Sequence, residues 1–238
     1  MKLKAVLFDL DGTLLPMDQD VFIGAYMRGL ARKMESYGYA PEKLIDSIWA
    51  GTGAMIKNDG AQSNEEVFWR AFSALMGHDA RKDEPVFEDF YRGEFQQVKG
   101  VCGFDERAAR VVEFIKSRGL RMALATNPLF PAIATHSRVR WAGLDPEDFE
   151  IITTYENSCR SKPNPDYYRD ILDKMGLSPC ECLMVGNDVG EDMITQKLGM
   201  KVFLLTDCLI NKKNEDISRY PQGSFDELLE IISDLLAQ

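Results

Sequence analysis

From residue 105 onward the chain alternates helical and extended patterns without interruption, and that alternation constrains the fold more than any other feature. Helical periodicity over 105–117, 130–141, 165–175, 190–198 and 224–236 is broken by short apolar runs at 120–125, 150–153, 182–185 and 201–204. Strands separated by helices pair in parallel and need cover on both faces, so the pattern predicts a doubly wound α/β sheet. Val6-Leu7-Phe8 near the start reads as one more buried strand. Between them, residues 18–95 hold no convincing strand, only amphipathic helices over 21–37, 41–56, 65–76 and 86–95. A helical bundle inserted into a sheet-forming frame is the expected organisation. A chain of 238 residues with 45% hydrophobic positions has enough apolar side chains for such a core.

Polar residues gather where these strands end. Phe8-Asp9-Leu10-Asp11-Gly12-Thr13 places two carboxylates one residue apart, and alternate residues of an extended strand share a face. Two anions so placed repel, unless a cation lies between them or one carboxyl keeps its proton; a nucleophile beside an acid is a pairing that phosphoryl transfer uses. The same residues are also ordinary turn formers. Strand 120–125 runs into Thr126-Asn127-Pro128, which brings a hydroxyl and an amide to the same sheet edge and equally signals a helix start. In Arg160-Ser161-Lys162-Pro163-Asn164-Pro165 two prolines stiffen the approach to a helix and present Lys162 in a defined direction. Strand 182–185 ends in Gly186-Asn187-Asp188, with Asp192 four residues beyond Asp188; both carboxylates suit a hard cation, and acids there also stabilise a helix N-terminus.

Other classes of function are disfavoured. A formal net charge of -10 and the lack of a basic stripe argue against a nucleic-acid binder, although one lysine and one metal ion can reverse the local potential. No stretch reaches the length of a membrane span and the apolar run before Asp9 is too short for a signal peptide, so a cytoplasmic location is expected. Cys102, Cys159, Cys180, Cys182 and Cys208 are odd in number and scattered, and His78 and His136 are isolated; all seven are read as structural.

The order Asp-x-Asp-Gly-Thr, then Thr126, then Lys162-Pro163, then Gly186-Asn187-Asp188 with Asp192 resembles the haloacid dehalogenase (HAD) superfamily, over the chain from Asp9 to Asp192. That resemblance implies a Rossmann-like core of residues 1–15 and 100–238 with a helical cap of residues 16–99, of the C1, subfamily I kind, hinged near Leu15-Pro16 and Lys99-Gly100. It implies a phosphatase acting on a small phosphorylated metabolite, as a monomer or weak dimer. Asp9 is then the nucleophile that becomes an aspartyl phosphate, and Asp11 the acid and later the base. Thr126, Asn127 and Lys162 hold phosphoryl oxygens. Asp9, the Asp11 carbonyl and Asp188 bind Mg²⁺, with Asp192 completing or orienting that shell. An acid at position 11 separates phosphate chemistry from the dehalogenating branch. Asn187 departs from the pattern, since many members place the acid directly after the glycine. A phosphomutase would use the same motifs, and a receiver-type phosphoacceptor module is a non-catalytic alternative. In the insert, the segment from Trp49 to Gly60 either faces the site, with Lys57 meeting an anionic leaving group, or simply joins two helices; Phe68, Trp69 and Phe72 read as bundle core.

Overall fold

The computed structural model describes residues 2–237. Strands β1 (Ala5–Phe8), β2 (Arg121–Leu124), β3 (Ile151–Ile152), β4 (Cys182–Gly186), β5 (Lys201–Leu205) and β6 (Gln222–Gly223) form one sheet, all parallel, in the order β3-β2-β1-β4-β5-β6. The chain builds outward from β1 to β3 and then returns to β4 on the other side of β1. Ligands of open α/β sheets collect outside the carboxyl ends of strands at such a reversal. The register makes this reversal a shared rim: Phe8 lies opposite both Leu124 and Val185, so the residues that follow these strands emerge together.

Both faces of the sheet are covered. Val6, Phe8, Leu183 and Val185 pack with α5 (Glu106–Ser117), α6 (Ala132–Trp141) and α8 (Phe225–Ala237), through residues such as Val111, Val139 and Leu228. Ala5, Leu7, Ala123 and Met184 pack on the other side with α7 (Pro165–Met175), through Tyr167, Tyr168 and Ile171. A strand buried on both faces needs an unbroken apolar run, which is why all four residues of β1 are buried.

The inserted segment is helical throughout: α1 (Gln19–Glu35), α2 (Pro41–Ile56), α3 (Asn64–Met76) and α4 (Glu84–Arg92). Local signals set the boundaries. Asp18 accepts hydrogen bonds from the Asp20 and Val21 amides at the start of α1. Ser63 and Glu66 form a reciprocal capping box on α3, which stops at Gly77 in the left-handed region. The two crossings between insert and sheet lie side by side, where the Gly103 amide donates to the Pro16 carbonyl at 2.7 Å and Met17 pairs with Cys102. Among the described residues no helix is long and apolar enough to cross a membrane.

Two local expectations change and one strand was not anticipated. The helix expected over 86–95 ends at Arg92, and residues 94–101 continue as 3₁₀ turns after Gly93 adopts φ -102°, ψ -96°. The helix expected over 190–198 is a 3₁₀ segment, Met193–Leu198, because the Asp188 side chain captures the Gly190 and Glu191 amides in a turn of its own. Two-residue β6 was too short to leave an alternation that could be read.

The core continues from the sheet into the insert through aromatic contacts. Phe95 is fully buried, with ring centroids of Phe22, Tyr26, Phe90, Tyr91 and Trp141 at 5.0 to 6.4 Å. Phe95→Ala empties this junction and should destabilise the protein by about 3–5 kcal/mol, read as a lower urea midpoint.

Candidate active site

The sheet's reversal point holds Asp9 and Lys162. Asp9 is the first residue after β1, and its amide donates to the Val185 carbonyl at 2.9 Å, which fixes the backbone against β4. Lys162 is 2% exposed, in the loop ahead of α7. Its ammonium donates to Asp9 Oδ1 at 2.7 Å and to Asp192 Oδ1 at 2.6 Å. Burial of a lone ammonium lowers its pKa; here the Asp192 and Asp9 carboxylates outweigh that and hold the proton on Lys162 well above its usual range. Burial likewise pushes the Asp192 carboxyl up to about 7, against the pull of Lys162. Both directions follow from one fact: two carboxylates share one cation in a site with little water.

Asp192 is fully buried, and both its oxygens are taken up. Oδ1 receives Lys162, and Oδ2 accepts the Asp188 amide at 3.0 Å. A Cβ at Gly186 would meet Asp192 Oδ2 at 2.1 Å, so only glycine lets the end of β4 approach this carboxylate. Asp192 therefore acts on Lys162 and on the backbone of Asp188.

Asp11 is not placed by strand pleating, as the spacing alone predicts, because β1 ends at Phe8. A tight turn carries it instead: Gly12 has φ +85° and donates to the Leu15 carbonyl at 2.8 Å, while Leu15 donates to Leu10 at 2.9 Å. Asp11 Oδ2 is bound by Arg138 Nη1. Its Oδ1 is buried and has no hydrogen-bond partner. Burial raises the Asp11 pKa, Arg138 opposes the rise and the neighbouring Asp9 adds to it. Arg138 was not anticipated from the sequence. It is fully buried on α6, its guanidinium lies 4.5 Å from the Phe130 ring centroid, and Nη2 reaches Thr135 Oγ1 at 3.3 Å. The signal was present in the helix: Ala134, Arg138 and Trp141 recur at i, i+4 and i+7, so the arginine occupies a position on the buried stripe.

The remaining motif residues complete the rim. The Thr13 hydroxyl lies 3.1 Å from Asp9 Oδ2 and 3.0 Å from Asn187 Oδ1, and Asn187 Nδ2 donates to the Cys208 carbonyl at 2.6 Å. Thr126 is 2% exposed, and its carbonyl accepts from the Tyr167 hydroxyl at 2.8 Å, which braces the end of β2. Asn127 Nδ2 donates to Glu191 Oε2 at 3.2 Å, whereas its Oδ1 is buried without a partner. Asp188 Oδ1 accepts the Gly190 amide at 2.7 Å and the Glu191 amide at 2.9 Å, which leaves Oδ2 outside these bonds. Lys57 is exposed just after α2, whose last turn docks beside the loop ahead of α7 through the Met55 carbonyl, which accepts from Ser161 Oγ at 3.2 Å.

Among the described residues no three His, Cys, Asp or Glu side chains are grouped to hold a metal. Lys162 stands between Asp9 and Asp192, and Arg138 draws Asp11 aside. What remains is a hard, all-oxygen set: the Asp9 and Asp188 carboxylates and the Asp11 carbonyl. One or two carboxylates completed by water and substrate oxygens is how Mg²⁺ is usually held, so these donors fit that ion.

A family model described as haloacid dehalogenase-like hydrolase matches residues 3–195. A phosphoglycolate phosphatase of Vibrio parahaemolyticus serotype O3:K6 is 25% identical over 97% of this chain and 96% of its own length. Pyrophosphatase PpaX of Bacillus velezensis is 24% identical over 99% of this chain and 95% of its own. Among solved structures, the HAD-hydrolase YfnB from Bacillus subtilis bound to magnesium superposes with a TM-score of 0.57 at 19% identity, covering 98% of this chain and all of that one.

Removing Lys162 leaves two buried carboxylates facing each other. Lys162→Met should cost about 3–5 kcal/mol of unfolding free energy in a urea titration, and adding Asp192→Asn should recover part of that loss.

Proposed function

The chain belongs to the haloacid dehalogenase-like hydrolases, and on that premise we propose that it is a Mg²⁺-dependent phosphatase hydrolysing a small phosphomonoester through a phosphorylated Asp9. The observation that carries this reading is the pairing at the reversal point: a carboxylate fixed at the end of β1 by a buried lysine, and a second carboxyl two residues on with one buried oxygen unengaged. Residues 16–99 act as the cap over a core of residues 1–15 and 100–238.

The chemistry follows from the placement of the groups. An Asp9 carboxylate oxygen attacks phosphorus, and the bond to the ester oxygen breaks. The carboxyl of Asp11 gives its proton to the departing oxygen, then takes one from the water that attacks the aspartyl phosphate, releasing inorganic phosphate and restoring Asp9. Lys162 and Thr126 hold phosphoryl oxygens, Lys162 also limiting charge repulsion, and Asn127 lines the same cradle. Asp9, the Asp11 carbonyl and Asp188 are the residues that would hold Mg²⁺, which supplies the positive charge a dianionic phosphate needs to approach an anionic nucleophile. The magnesium described in YfnB and the phosphatases among the relatives support this reading. Arg138 holds one oxygen of Asp11 and so directs Oδ1 as the oxygen that transfers the proton.

Phosphate release from a panel of metabolite phosphates, with Mg²⁺ and after chelation, tests the function. Asp9→Asn should abolish both turnover and the acid-stable phosphoprotein, chelation should remove activity and Mg²⁺ restore it, and normal turnover by Asp9→Asn would end the mechanism. Arg138→Lys should slow alkyl phosphates, whose leaving oxygen needs a proton, by about 10²-fold. The same variant should slow p-nitrophenyl phosphate much less, since that leaving group departs as an anion; equal losses on both would assign Arg138 to the fold alone.

A further inference from the structure

A cavity of about 430 Å³ lies between the insert and the loop after β2, within the size range of small-molecule sites. Its floor includes Leu129 and Phe130, two and three residues past Asn127; Asp9, Asp11, Asn127 and Lys162 do not border it themselves, and its link to the rim is the Phe130 ring, which lies against the guanidinium that holds Asp11. Its walls come from all four helices of the insert and from Tyr155, so both parts of the molecule enclose it. Phe68 and Trp69, which the sequence places in the bundle core, do pack there, with centroids 5.4 Å apart, yet both also border this space.

The chemistry of the lining is selective. Aromatic surfaces dominate it: Trp49, Phe68, Trp69, Phe130 and Tyr155. The Trp69 indole N–H is buried facing the Tyr155 phenol, which gives the otherwise apolar lining one polar edge. The charged side chains are Glu65, Glu84, Glu88 and Glu156 against Arg92 alone. Arg81 reaches Glu65 at 2.6 Å and Glu84 at 3.5 Å, and Arg92 binds Glu88 at 2.8 Å. Two arginines against four carboxylates leave the wall negative by two. Lys57, the one cation that the sequence offered for an anionic leaving group, does not border the cavity.

We propose that this cavity receives the alcohol part of the phosphomonoester, that the preferred alcohol is bulky and apolar with a neutral or cationic far end, and that a second anion is rejected. This rests on the phosphatase reading above. It sets the chain apart from relatives named for phosphoglycolate and pyrophosphate, whose leaving groups are themselves anions. A sugar bisphosphate, which a phosphomutase must hold, would meet the same acidic wall.

The test is a matched series of n-alkyl phosphates of four to eight carbons, ending in methyl, ammonium or carboxylate, assayed for phosphate release beside phosphoglycolate. In the methyl series kcat/KM should rise about threefold to fourfold per methylene until the space is filled. The ammonium ester should exceed its carboxylate counterpart at least tenfold, and Glu88→Lys should close most of that gap. Trp49→Ala, at a residue half exposed on α2, should flatten the dependence on chain length. A flat series with phosphate release intact, or a carboxylate ester preferred, would overturn the inference and leave the phosphatase standing. Should no ester be hydrolysed, octanol and octylamine binding to the protein, read by tryptophan emission, decides separately: saturable quenching, stronger for the amine, keeps the cavity assignment, and none removes it.

Discussion

One buried ammonium holds the rim of this sheet together. Lys162 donates to one oxygen of Asp9 and one of Asp192, so the loop ahead of α7, the tip of β1 and the segment after β4 are joined at one point. Two carboxylates at that depth would repel each other in a medium that screens charge poorly, and the lysine converts the repulsion into a three-point attachment. Asp192 then bonds the Asp188 amide, so the same interaction sets the direction of the fourth motif. The site is consequently a structural element before it is a chemical one.

Much of this could be read from residue order, because the informative groups sit at strand ends and strand ends are marked by apolar runs. Val6-Leu7-Phe8 before Asp9, and 182–185 before Asp188, needed only the rule for buried parallel strands. The pairing of Lys162 with Asp9, 153 residues apart, rests on no local rule and came from the resemblance in motif order. Arg138 was missed for a different reason. A single arginine in a helix of mixed polarity looks like a solvated charge, and only its place in the Ala134–Trp141 stripe distinguishes it. Phe68 and Trp69 show the converse: an aromatic stripe packs the bundle and borders a space at once, and periodicity is the same in both cases.

The two carboxyls of the Asp-x-Asp motif differ because their partners differ. Asp9 faces a lysine and the Thr13 hydroxyl; Asp11 faces an arginine on one side and nothing on the other, with burial working against its ionised form. Identical side chains two residues apart thus acquire unequal surroundings, the arrangement by which one site separates an attacking group from a proton carrier. The Gly12 turn makes the inequality possible, since an extended chain would have turned both toward the same neighbour.

The two crossings into the helical insert are tied to each other at Gly103 and Pro16, next to where each leaves the sheet. A segment whose two ends begin at a common point can be lengthened, replaced or exchanged in the course of descent without moving any strand. The acid-lined chamber is therefore open to change by recombination while the carboxylates and the lysine at the rim stay where they are, so the surroundings of that cluster can alter without rebuilding the sheet.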